Sequence, residues 1–487
     1  MMVPSATNWW NDDVALAEIE LTNWISVKRS IIPMLLILPT FYLYTGLFLY
    51  LLTAYIAVDC LRKDDDFTPI MFYFAALYLL PFGLMDVVLE HPAARFFDHV
   101  MIAAVPLSVT LPIYMNALFK NKKLKYIILL LLIPFLISTI YPGLLYLLYD
   151  EGYPVRFIWV FNYFQSILVG LASYHALSSS VRMLNFIYLL IVLGLIVAVF
   201  GLIQHFCKFY FFTNTYAYQD FSRLSIISQW DPVELFPFFI VSFSFSVNYL
   251  LSSIKKNKII CLSAAIVFLA SIFTYSRTGI SAMIFIVMSS ILLRKKLLTV
   301  LLSMGAIILF YFIIGGDVLA KLLPEEQLFR LTSQSSYTGR LHLFMMSFNA
   351  LLDNWFLGVG IGNSVATAFS YTGNFFLSDL VDANFNYSRM ISLHNFFLDW
   401  ILSMGVLIVP GILLCFYFTI RNSVFIYLHD TNIVRLICAK SIMISLFALS
   451  MHWFQSSSPN FYFLFLFLAM SFAVKNMILN CSPNKTK

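Results

Sequence analysis

Thr338-Gly339-Arg340, Gly358-Val359-Gly360-Ile361-Gly362-Asn363 and His394-Asn395 punctuate residues 315–394. This stretch is the long interruption in a chain that otherwise reads as a succession of apolar runs. About 80 residues is far more than a turn between neighbouring helices needs, and irregular segments of that length in a compact fold are usually functional. The fold follows from this contrast: a membrane bundle with one large external loop, and the chemistry gathered on or beside that loop.

The flanking sequence supports the membrane reading. The 487 residues are 61% hydrophobic and 11% charged, with a mean hydropathy of +0.86, whereas a soluble domain carries about 25% charged residues. No strand-like alternation suggests a barrel. Apolar runs long enough to cross a bilayer fall at 31–58, 67–89, 96–119, 125–149, 156–178, 183–206, 233–254, 258–275, 278–293, 297–314, 395–420, 433–454 and 459–479. The expected fold class is an all-α polytopic membrane protein of about 12–14 transmembrane helices. It divides into a polar N-terminal segment (1–30), transmembrane helices (31–314), the large loop (315–394) and C-terminal transmembrane helices (395–480).

Orientation comes from the bias of Lys and Arg toward cytoplasmic loops. Lys120/Lys122/Lys123/Lys125, Lys255/Lys256/Lys258, Arg294/Lys295/Lys296, Arg182, Arg421 and Arg435 all fall on one side, so 207–232, 276–277 and 315–394 face outward. The first third is ambiguous, because Arg62-Lys63 competes with Asp64-Asp65-Asp66. The N-terminus lacks a cleavable signal pattern. The net charge of +6 is what topology requires and does not call for nucleic acid. The six cysteines are scattered without a CxxC, so neither a disulfide framework nor a zinc site is expected.

Outward faces should be poor in basic residues, yet Arg223, Arg277, Arg330, Arg340 and Arg389 lie there. Arg277 sits in Tyr275-Ser276-Arg277-Thr278-Gly279, a turn so tight that the guanidinium belongs at the membrane boundary. Guanidinium is a planar fork of donors that matches phosphate oxygens and keeps its charge, so several of them here suit a lipid diphosphate. The plainer alternative is that each arginine snorkels to lipid phosphate. After Arg340, Leu341, Phe344, Met345, Phe348, Leu351, Leu352 and Trp355 recur at helical spacing, with His342, Asn349 and Asp353 on a polar side. That pattern reads as an amphipathic helix lying on the outer leaflet, or else as a buried packing helix. No strand precedes the glycine run 358–362, so it reads as a place of sharp turning or close backbone approach rather than a nucleotide loop. His394, at the mouth of the next span and followed by Asn395 and then Asp399, can take a proton from a hydroxyl near neutral pH. His452, beside Trp453, is the second candidate. External carboxylates form no ligand-spaced cluster, and neither metal nor other cofactor is expected.

In this order and on one face, the Ser276-Arg277-Thr278-Gly279 turn, Thr338-Gly339-Arg340, the glycine run and His394-Asn395 with Gly405 resemble the bacterial O-antigen ligase and O-antigen polymerase superfamily, over roughly residues 183–420. The resemblance implies a GT-C-like fold and a metal-independent, inverting glycosyltransferase of the inner membrane whose active site faces the periplasm. It implies an undecaprenyl-diphosphate-linked glycan as donor. His394, Arg277 and Arg223 become the catalytic residues, and Arg340, Gly339, Asn395, Tyr275 and Ser276 contact substrate. The acceptor is lipid A–core if the chain is a ligase, another lipid-linked repeat unit if it is a polymerase, or protein in a third variant. One departure bears on that choice: Gly405 is followed by Val406-Leu407-Ile408, and the next glycine is Gly411. A transporter of lipid-linked sugars is the alternative from another class, and internal repeats and charges deep in the spans would mark it.

Overall fold

The computed structural model describes residues 45–79, 99–149, 157–207, 232–252, 257–274, 276–293, 335–361, 363–371, 395–453 and 462–481. Among these, every regular element is helical: α1 Thr45–Arg62, α2 Thr68–Leu79, α3 His99–Val109, α4 Leu111–Lys120, α5 Lys122–Tyr149, α6 Phe157–Ala176, α7 Ser180–Cys207, α8 Pro232–Ser252, α9 Lys258–Phe273, α10 Arg277–Leu292, α11 Ser335–Asp353, α12 Ser364–Ser370, α13 Phe396–Met404, α14 Val409–His429, α15 Ile433–Trp453 and α16 Tyr462–Cys481. Six segments in the described residues are long and apolar enough to span a bilayer: Lys122–Tyr141, Ser180–Cys207, Leu235–Ser252, Val406–His429, Ile433–Trp453 and Tyr462–Leu479. The chain is an all-α polytopic membrane protein. The other expected spans are shorter here, are divided by a break, or fall partly outside the described residues.

The bundle is held by intimate contact of small residues as well as by apolar bulk. Lipid tails compete with every apolar side chain, so helices in a membrane associate through close backbone approach and interhelical hydrogen bonds. On α8, Ser242, Ser244, Ser246 and Asn248 are all buried. Ser244 donates to the Ser441 carbonyl of α15 at 3.2 Å, and Ser441 returns a bond to the Ser244 carbonyl at 3.4 Å. Ser263 of α9 donates to the Ile191 carbonyl of α7 at 2.9 Å. Gly194 of α7 leaves room for Ser242, and Gly170 of α6 for Phe465 of α16.

One end of the bundle is stitched by polar pairs. Asp66, in the loop between α1 and α2, accepts from Arg182 at the start of α7 at 2.8 Å and lies 3.1 Å from His175 of α6. Tyr174 receives Asn121 and Asn476 at 3.1 and 2.8 Å, Lys475 donates to Asn422 at 3.0 Å, and Arg435 to Asp430 at 3.0 Å. This is the Lys/Arg-rich end. The Asp66–Arg182 pair fixes the point on which the sequence was ambiguous: loop 63–67 lies at the same end as Arg182.

Two expected spans are broken. The run 96–119 divides at Thr110 into α3 and α4, where the Pro106 carbonyl accepts from both Thr110 N at 3.1 Å and Thr110 Oγ1 at 2.7 Å. Pro112 then sits in the first turn of α4, where its missing N–H costs nothing. The run 395–420 divides at Gly405 into α13, a 3-10 turn (Val406–Ile408) and α14. The membrane-crossing part begins only at Val406 and continues to His429, so α13 stands in front of the span.

Candidate functional site

The end opposite the basic one carries Ser276 and Asn395, two of the residues singled out from the sequence. Ser276 caps α10, its hydroxyl accepting from Gly279 N at 3.3 Å, with Arg277 at the first helical position. Asn395 caps α13 in the same manner, its side chain accepting from Leu398 N at 3.1 Å. Capping side chains of this type satisfy helix-end N–H groups that otherwise lack partners. The description covers the backbone of Arg277 but not its side chain, and the same holds for Arg340. Arg223, Tyr275 and His394 lie outside the described residues, as do Arg330 and Arg389.

The packing beneath these caps ties them together. Gly279, two residues after Arg277, lies flat on the ring of Phe236 in α8, so closely that an added Cβ would fall 1.9 Å from a ring carbon. Phe236 is fully buried and its ring centre is 5.8 Å from that of His452 in α15. The neighbouring Trp453 stacks on Phe396, the first residue of α13 and two residues after His394, at 4.6 Å and 8°. Phe396 in turn stacks on Trp400, which packs on Tyr163 of α6. The starts of α10 and α13 therefore rest on adjacent residues in the last turn of α15. His452, the second histidine candidate, is wholly buried in this layer.

The large loop is fastened to the same place. Thr338-Gly339-Arg340 lies within α11, which begins three residues earlier at Ser335. One side of α11 is buried through Leu343, Met346, Ser347 and Ala350, and Ala350 packs with Ala368 of α12 and Leu402 of α13. The other side leaves Phe344, Met345, Phe348 and Leu352 exposed, followed by Trp355 and Phe356. Leu352 and Trp355 are 59% and 57% exposed, more than a packing helix would leave uncovered. The helix thus carries both of the faces that the sequence left as alternatives.

The glycine run is an approach of one backbone to another. Val359 N donates to the Leu402 carbonyl at 2.9 Å, Gly360 N to the Ser403 carbonyl at 3.0 Å, and Val406 N to the Trp355 carbonyl at 2.7 Å. Gly358 and Gly405 both have positive φ, +71° and +72°. A Cβ on Gly358 would lie 2.5 Å from Gly405 N and the Ser403 carbonyl oxygen, and one on Gly405 would lie 1.9 Å from the Phe356 carbonyl oxygen. This clasp breaks the expected span: Gly405 ends α13 because the loop's own backbone occupies the space that a side chain would need. Sequence reading caught the glycines as sites of close approach but gave no signal for their partner.

A second tie also went unmarked in the sequence. Ser364, buried at the start of α12, donates to the carboxylate of Asp399 on α13. Asp399 is part-buried, and this burial pushes its carboxyl up to about 6 while the Ser364 hydrogen bond opposes the rise. Its only sequence signal is an acid inside an apolar run.

Residues 262–416 match the family model for O-antigen ligase. The matched stretch covers less than half of the chain. It runs from α9 into α14 and takes in the Ser276 turn, α11, both halves of the clasp and His394-Asn395. It is narrower than the resemblance read from the sequence and leaves Arg223 outside. A search of curated proteins returned no match. The chain is thus a multi-pass membrane protein in which residues 262–416 are similar to the O-antigen ligase family.

Proposed function

We propose that the protein is a glycosyltransferase that moves a glycan from an undecaprenyl-diphosphate donor to a sugar hydroxyl at the periplasmic face of the bacterial inner membrane, acting as an O-antigen ligase with lipid A–core as acceptor. The observation that carries this reading is the convergence of the α10 and α13 starts on the last turn of α15. It brings the turn that holds Arg277 and the cap that follows His394 to one locus, at the end away from the basic loops. The exposed apolar side of α11 suits an outer-leaflet position beside a lipid-borne donor.

In this reading the acceptor hydroxyl attacks the anomeric carbon as its proton passes to His394. The bond from that carbon to the diphosphate breaks, the electron pair leaves with the diphosphate, and the anomeric configuration inverts. Arg277 and Arg223 stabilise the negative charge as it develops, more strongly in the transition state than in the bound donor. The N–H groups at the start of α10 add to that field. Arg340, Gly339, Tyr275, Ser276 and Asn395 line the path of the substrates, and no step requires a metal.

The test is made in the native host. His394→Ala abolishes glycan transfer while the protein still reaches the membrane; full transfer by that variant sinks the base assignment. Arg277→Lys also impairs transfer, because an ammonium lacks the fork, and an unchanged rate returns Arg277 to lipid snorkelling. Deleting the chromosomal copy separates the acceptors on a gel of surface glycan. A lipid core that loses all long glycan while lipid-linked polymer accumulates marks a ligase. A core that still carries a single repeat unit marks a polymerase, the reading that the Val406-Leu407-Ile408 departure would favour.

A further inference from the structure

The basic end of the bundle treats its cations in two ways. Arg182 is met by Asp66, Arg435 by Asp430 and Lys63 by Asp59. Lys123, Arg421 and Lys475 belong to none of the ion pairs among the described residues. Yet the fold draws these three together. Asn121, just before α5, and Asn476 of α16 both donate to the Tyr174 hydroxyl, which brings the start of α5 beside Lys475. Lys475 Nζ reaches across to Asn422 Oδ1 of α14, one residue after Arg421, at 3.0 Å, and lies 5.0 Å from the ring centre of Phe425. The third side closes at Gly411 of α14, where an added Cβ would fall 2.6 Å from Leu131 of α5. At a rise of about 1.5 Å per residue, Lys123 and Arg421 lie roughly 12 and 15 Å from that crossing, both toward the basic end.

Like charges gathered in this way raise each other's energy, and the Lys475 ammonium stands in the field of both Arg421 and Lys123. Asn422 offers it a neutral amide oxygen, which binds the ammonium without cancelling its charge. The counter-charge therefore has to come from outside the chain. The exposed flanks say which kind. Tyr417, one turn before Arg421 on α14, is exposed and has its ring centre 5.8 Å from the guanidinium carbon, and Leu413, a further turn away, is also exposed. On α5, Tyr126, Leu130 and Ile133 are exposed in the same way below Lys122 and Lys123. Both helices are long and apolar enough to cross a bilayer. Each thus presents cations at its basic end and an apolar stripe leading toward the middle of the membrane. A phospholipid has the matching profile, with an anionic phosphate above and acyl chains below. Inorganic phosphate shares the head chemistry but has no use for the stripe.

We propose that Lys123, Arg421 and Lys475 form a binding site for the head group of an anionic phospholipid whose acyl chains lie along α5 and α14. The bound lipid relieves the repulsion among the three cations and ties α5, α14 and α16 together at the end away from the clasp.

The test is native mass spectrometry of the detergent-solubilised full-length protein, titrated with dioleoylphosphatidylglycerol or with the zwitterionic dioleoylphosphatidylcholine. Wild type takes up phosphatidylglycerol in preference. Arg421→Gln/Lys475→Gln lowers that affinity about 30-fold, since each Lys or Arg near a membrane surface is worth about five-fold toward an anionic lipid, and leaves phosphatidylcholine uptake unchanged. Arg421→Lys/Lys475→Arg keeps both charges and retains the lipid. Lys258→Gln, at the same end on α9, changes nothing and controls for overall charge. Where the double Gln variant fails to reach the membrane, Lys123→Gln alone gives about a five-fold loss. Equal uptake of the two lipids by wild type, or wild-type phosphatidylglycerol affinity in the Gln variants, overturns the proposal. So does an equal loss in Lys258→Gln, which would assign the effect to surface charge at large. Displacement of the bound lipid by millimolar inorganic phosphate overturns the lipid as occupant and leaves a site for small anions.

Discussion

Replacing Gly405 with alanine tests the clasp. Gly405 has φ +72° and ψ −179°, a region that only glycine enters freely, so any other residue there carries about 1–3 kcal/mol of backbone strain. The alanine methyl would also sit 1.9 Å from the Phe356 carbonyl oxygen and 2.4 Å from its carbon. Both are main-chain atoms that cannot swing aside, so relief comes only from parting the two segments. That sacrifices the Val359–Leu402, Gly360–Ser403 and Val406–Trp355 hydrogen bonds, each worth about 1 kcal/mol net. The combined cost, about 4–6 kcal/mol, is large against the stability of a local element. It does not touch the Ser244–Ser441 layer or the polar end of the bundle. Gly405→Ala should therefore open the clasp while the bundle persists: new limited-proteolysis cleavage within 354–363, a melting transition close to wild type, and loss of glycan transfer. Gly358→Ala, whose Cβ would meet Gly405 N and Ser403 at 2.5 Å, should reproduce the pattern. A Gly405→Ala protein with wild-type protease resistance and full transfer would refute the argument.

Two further changes probe the two ends. Gly279→Ala pushes a methyl into the buried Phe236 ring, and overpacking of this kind costs about 1–3 kcal/mol; a lowered melting temperature with reduced transfer is expected, and an unchanged transition would show that the ring yields freely. At the basic end, burial raises the Asp66 carboxyl, but the His175 hydrogen bond and the Arg182 charge outweigh it and hold the group below its ordinary value. A carboxyl lowered in the folded state contributes stability above its unfolded pKa of about 3.9 and loses it as pH falls through the folded value. The gap in melting temperature between wild type and Asp66→Asn should thus be full near neutrality and close below about pH 4, and a gap that stayed constant with pH would exclude this ion pair as its source.

The sequence revealed the bundle because hydrophobicity at span length is a strong, local signal. The resemblance offered Ser276 and Asn395 as substrate contacts, and the capping that the structure shows for both had no place in the sequence reading. The sequence did not reveal the break at Gly405, since Phe396–Cys415 reads as one apolar run in which Gly405, Pro410 and Gly411 are residues that membrane helices tolerate. What breaks the helix is a partner some 45 residues earlier in the chain, and pairing across that distance leaves no mark in local composition. The same holds for Phe236, which supports the Arg277 turn but looks like any phenylalanine in an apolar run. Thr110 and Asp66 lie between these extremes. Their residue types announced a polar purpose, while the choice of partner, Pro106 in one case and Arg182 with His175 in the other, needed the folded chain.

The clasp has one more consequence. Its contacts join main chain to main chain, so they are blind to the identity of most side chains nearby. The stretch between Gly360 and Ser403 is consequently pinned at both ends by atoms that every sequence possesses, and side-chain identity is constrained at the seams only at Gly358 and Gly405, where a Cβ has no room.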